Sequence, residues 1–114
     1  MFPVFFCIFA MNMEKKYIIS YELRDSTINR MPLYDTIKSN WPEYRHIMEN
    51  SWIIKSEMTA KEIYKVIHPF LHLVDMNCDT IFIAEINDEN VEGMLGQSHW
   101  KFISHERKEH GDEA

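Results

Sequence analysis

Between Tyr17 and Leu23 the chain alternates, with Ile19, Tyr21 and Leu23 on one face of a run rich in β-branched and aromatic residues. That pattern predicts a half-buried strand. Arg24 to Arg30 holds Asp25, Ser26, Thr27 and Asn29, the composition of a loop. Pro32 suits the first turn of a helix, and Leu33, Tyr34 and Ile37 follow at helical spacing before Ser39-Asn40 and Trp41-Pro42 close it. Two short strands are predicted around Asn50, at Tyr44 to Glu49 and Ser51 to Ser56.

Thr59-Ala60-Lys61-Glu62 reads as a capping box. Behind it Ile63, Val66, Ile67, Phe70 and Leu71 mark one buried helical face, which Pro69 kinks or ends. Thr80 to Ile86 is almost continuously apolar, which predicts a strand covered on both faces or lying at an interface. Gly93 and Gly96 belong to a loop. Ser98 is the expected N-cap of a short last helix carrying Trp100 and Ile103.

The order strand, helix, strand, strand, helix, strand predicts an α+β domain: a ferredoxin-like βαββαβ arrangement with a short C-terminal helical extension. In it the first and third strands lie side by side at the sheet centre. The domain is expected over residues 13–104, followed by a charged, flexible tail at 105–114.

Residues 1–12, MFPVFFCIFAMN, are uncharged and carry four phenylalanines, then give way abruptly to MEKK. The run is too short for a membrane span and lacks the basic start of a signal peptide. Three readings remain: a start site at Met11 or Met13 with the upstream residues added by gene calling, which is preferred; an arm that packs on the domain or touches a membrane; and a processed leader. No membrane association is expected unless these residues are real.

Composition narrows the function classes. Of 114 residues 46% are hydrophobic and 26% charged, enough for one core, and the net charge of −6 excludes a generally basic, phosphate-gripping surface. Cys7 and Cys78 make no disulfide framework and point to a reducing, cytoplasmic setting. No phosphate-cradling glycine loop, GxSxG or HExxH is present.

The runs KYIISYEL, SWIIKS with EMTAKEI, and TIFIAEIND, ending in NVEGMLGQSHWKFI, resemble the ferredoxin-like superfamily of the small CRISPR-associated spacer-acquisition subunit. The similarity is closest to its SinR-like branch and covers about Met13 to Ser104. It implies a homodimer whose sheets pack or join through terminal strands. In nuclease members an aspartate ending the first strand of each protomer holds a divalent ion at the dimer axis. Glu22 stands at that position here, one methylene longer, so the octahedral shell of Mg²⁺ would need a different arrangement.

Candidate chemistry centres on Glu22 and Asp25 as catalytic carboxylates, with Glu22 as the metal ligand and Mg²⁺ as cofactor if the chain is catalytic. Arg24, Arg30 and Lys55 are the candidate nucleic-acid contacts. The plainer alternative makes Glu22 the outward residue of an amphipathic strand and Asp25 a turn residue. His68 and His72 are spaced for a transition metal but lack a third ligand. His46 is a general-acid candidate, and Trp41, Tyr44, Trp52 and Trp100 are base-stacking candidates whose commoner use is in a small core or a dimer interface. Lys55, Lys61 and Lys65, mixed with Glu57 and Glu62, read as a solvated face. The expectation is a non-catalytic interaction or adaptor module with a nucleic-acid or protein partner, serving defence-related nucleic-acid processing in a bacterium or phage. The alternative is a Mg²⁺-dependent endoribonuclease using Glu22.

Overall fold

Alternation along the first strand is borne out: Tyr17, Ile19 and Tyr21 are buried while Glu22 is exposed. The computed structural model describes residues 14–72 and 78–104, so segment 1–12 and tail 105–114 lie outside the described residues. The elements are β1 (Lys15–Glu22), α1 (Met31–Asn40), β2 (Tyr44–Met48), β3 (Ser51–Ser56), α2 (Ala60–Ile67), a 3-10 turn (His68–Phe70), β4 (Thr80–Glu85) and α3 (Gln97–Ile103). This is an α+β architecture with a four-stranded antiparallel sheet in the order β2-β3-β1-β4.

β1 and β3 occupy the centre, with Tyr17 opposite Ile54, Ile18 opposite Ile53 and Ile19 opposite Trp52. Because side chains alternate across a strand, these pairs divide between two faces. Tyr17, Ile19, Tyr21, Trp52 and Ile54 pack beneath Leu33 and Ile37 of α1 and Ile63 and Ile67 of α2. Ile53 points the other way and joins Trp100, Phe102 and Ile103 of α3 in a second, smaller core. Each wholly buried isoleucine on the first face contributes about 2 kcal/mol of transfer free energy.

Local chemistry explains where the helices begin. The Thr59 hydroxyl accepts from the Glu62 amide at 3.1 Å, and the Thr59 amide donates to Glu62 Oε1 at 2.8 Å, completing the capping box. α1 has no side-chain cap at Arg30, but the Asn29 side chain accepts from the Met31 amide and Pro32 sits in the first turn. α3 begins after Gly96 rather than at Ser98, which lies inside the helix.

Two other expectations change. Pro69 ends α2 at Ile67 and tightens the next turn, so Phe70 rotates off the buried face and stands exposed. β4 is not covered on both faces. It is an edge strand, and Phe82 at its middle is 68% exposed.

Candidate functional site

β1 ends at Glu22, and the next residues form a turn built by Asp25. Its Oδ1 accepts from the Thr27 hydroxyl at 2.6 Å and from the Thr27 amide at 3.0 Å. Those two bonds, the hydroxyl's first, hold the Asp25 carboxyl below the usual carboxylate range. Asp25 therefore does the work of a turn residue.

Glu22 projects into solvent, its side chain 64% exposed, and Oε1 accepts from Arg24 Nη2 at 3.2 Å. Arg24 is itself exposed, so this is a surface pair of small energetic weight. No group of three histidine, cysteine, aspartate or glutamate side chains lies close enough to hold a metal ion among the described residues.

Arg30 is committed elsewhere. Its guanidinium forks onto Asp79, Nη1 donating to Oδ2 at 2.6 Å and Nη2 to Oδ1 at 2.9 Å. Asp79 also accepts from the amides of Arg24 (3.2 Å) and His72 (2.8 Å), and its side chain has no exposed surface. Burial pushes this carboxyl up, but the Arg30 bonds and then the two amides outweigh it and hold it below the ordinary range. Asp79 carried no sequence signal beyond standing just ahead of a strand.

Lys55 lies far from Glu22. It pairs in register with Lys16 at the start of β1, six residues or about 20 Å along the strand from Glu22. Its Nζ sits 4.4 Å from the centre of the Phe102 ring, with the Arg45 guanidinium 4.6 Å from the same ring. The five sequence candidates thus divide into an exposed ion pair, a turn, a buried clamp and a cation–aromatic contact at the other end of the sheet.

The remaining candidates also have structural places. Trp41, Trp52 and Trp100 are buried, which removes them as platforms for nucleobases. Trp52 Nε1 donates to the Tyr21 hydroxyl at 2.7 Å, and burial pushes that hydroxyl up to about 12. His46 stacks on Trp52 with ring centres 4.1 Å apart. The His72 amide serves Asp79, while His68 lies against Tyr64.

The two sheet edges differ. β2 has a register irregularity between His46 and Met48 and carries Arg45. β4, reading TIFIAE, pairs with β1 without interruption and bears no lysine, arginine or proline. Lysine, proline and bulges are the usual guards of a free edge; β2 has a register break, and the residues of β4 carry none of the three. Phe82, with Thr80 and Ala84 on its own face, belongs to the strand for which the sequence left open cover on both faces or an interface, without locating it on an edge. No protein-family model, curated protein or solved structure matches this chain.

Proposed function

We propose that the chain is a non-catalytic interaction module with a ferredoxin-like fold that works as a homodimer joined through β4. The observation that carries the proposal is the unguarded edge with Phe82 exposed at its centre. A twofold axis at Phe82 sets Phe82 opposite its copy, Ile81 opposite Ile83 and Thr80 opposite Ala84, each pair on a single face. The ferredoxin-like assignment is supported by the antiparallel order β2-β3-β1-β4, in which β3 separates β1 from β2.

Kinship with the small CRISPR-associated subunit, and with it a role in defence-related nucleic-acid processing, belongs to the same proposal. It rests on the quoted sequence runs. Non-catalytic action is supported by the commitments of the acidic and basic candidates: Asp25 to a turn, Arg30 to buried Asp79, and Lys55 to Phe102 at the opposite end of the sheet. One observation favours the alternative endoribonuclease, namely that the Glu22 carboxylate is open to solvent beside Arg24.

Sedimentation of the wild-type chain and Phe82→Lys tests the dimer. Labelled RNA and duplex DNA incubated with Mg²⁺ or EDTA, with Glu22→Gln alongside, tests the chemistry. The proposal expects a dimer that the lysine dissociates, and no metal-dependent cleavage. Cleavage lost in Glu22→Gln would establish the nuclease instead.

A further inference from the structure

The described residues cover the sheet's second face only in part. Between it and residues 86–103 lies an open apolar groove of about 290 Å³, with Ile18, Ile53, Leu95 and Trp100 in its walls. Met48 and Met94 also line it and are 54% and 88% exposed. Such a groove in water favours an apolar occupant. Among the described residues that line it Glu92 alone is charged, so they offer no converging set of polar groups to orient a polar small molecule.

We infer that the groove is filled by residues 1–12 of the same chain, which takes the packed-arm reading of that segment in place of an upstream start added by gene calling. Three observations converge on that occupant. The first is chemistry: the segment is uncharged and supplies Phe2, Val4, Phe5, Phe6, Ile8 and Phe9, and thioethers such as those of Met48 and Met94 adapt well to aromatic rings.

The second is position. Glu14 and Lys16 stand beside Ile86, whose amide donates to the Lys16 carbonyl at 2.9 Å, and Ile86 also lines the groove. The described chain therefore begins next to the groove's own wall. The third is length. Thirteen residues precede Glu14 and extend to about 40 Å, whereas Ile18 is two residues, about 7 Å, from Lys16. The segment reaches with ample slack.

The inference is independent of the β4 dimer, because it concerns the groove and not the strand's outer edge. Cys7 lies within the segment and supplies the probe. In the full 114-residue chain, Cys78→Ser leaves Cys7 as the sole native thiol, and Met94→Cys adds a partner at the groove. Asp35→Cys, at an exposed position of α1 across the sheet, is the control.

Mild oxidation is expected to close an intramolecular disulfide with position 94 at least about tenfold faster than with position 35, since docking raises the local thiol concentration. Equal rates would overturn the inference. A cross-link between chains would overturn it in favour of a second copy's segment in the groove. Cosedimentation of the unmodified chain with phosphatidylcholine vesicles, abolished by Phe5→Asp/Phe6→Asp, would overturn it in favour of a bilayer.

A second measurement needs no thiol. If the segment covers the groove, Phe5→Asp/Phe6→Asp uncovers it and raises binding of an apolar fluorescent dye. If the segment already stands in water, the same change removes exposed apolar surface and dye binding falls, which would overturn the inference.

Discussion

Arg30 and Asp79 meet fork to carboxylate across 49 positions of sequence, with hydrogen bonds of 2.6 and 2.9 Å. The pair fastens the loop after β1 to the entrance of β4, and the two backbone amides that Asp79 accepts complete the joint. Asp79→Asn leaves a guanidinium nine-tenths buried without its counter-charge. The expected loss is about 3 kcal/mol, read from urea unfolding, because breaking one half of a buried pair strands the other half.

The same carboxylate sets an acid dependence. Its pKa is lower folded than unfolded, so its contribution is present above the unfolded value of about 4 and disappears as pH falls through the folded value. Unfolding free energy measured from pH 6 downward is expected to decline below about pH 4 in the wild-type chain. In Asp79→Asn the decline is expected to be shallower.

Tyr21 sets the alkaline counterpart. Its hydroxyl, raised to about 12 when folded, contributes stability that is complete below the unfolded value of about 10 and is lost as pH rises toward 12. Tyr21→Phe removes that dependence and leaves buried Trp52 Nε1 without its acceptor at 2.7 Å. The expected cost at neutral pH is about 1–2 kcal/mol, with a shift in Trp52 emission as the local signature.

Capping can be measured separately. Thr59→Ala removes one arm of the capping box at the start of α2 and is expected to cost about 1 kcal/mol. Thermal unfolding followed by far-ultraviolet circular dichroism reads it. Thr59→Ser keeps the acceptor and is expected to restore most of the loss.

Glu22→Gln provides the contrast. The side chain is exposed and its only described ion pair, with Arg24, lies in solvent. A change in unfolding free energy within about 0.5 kcal/mol is expected. A larger effect would mean that Glu22 holds more of the structure than that surface pair.

These predictions divide along the same line as what the sequence made legible. Apolar periodicity located β1, β3 and both helices of the first face, because a buried stripe writes its period into the chain: Ile19 and Tyr21 at two, Ile63 and Ile67 at four. The capping box was equally local. The Arg30–Asp79 clamp was not legible, since periodicity carries no information on which polar residue meets which across 49 positions. Arg30 consequently looked available for phosphate. The edge position of Phe82 was not legible for a related reason. An apolar strand reads alike at the centre or the edge of a sheet, and only pairing order distinguishes them. Ser98 is a good capping residue by type, but Gly96 already supplies the extended backbone from which α3 starts.

The inequality between the two sheet edges also limits growth. A sheet open on both sides has no natural size, and copies adding at either end build a fibre. Here any union through β4 consumes the smooth border of the described sheet and leaves β2, with its register break and Arg45, outermost on both flanks. Association is then self-terminating, closed by symmetry after one step. Polymerisation would require mending the irregularity between His46 and Met48, not strengthening the contact at Phe82.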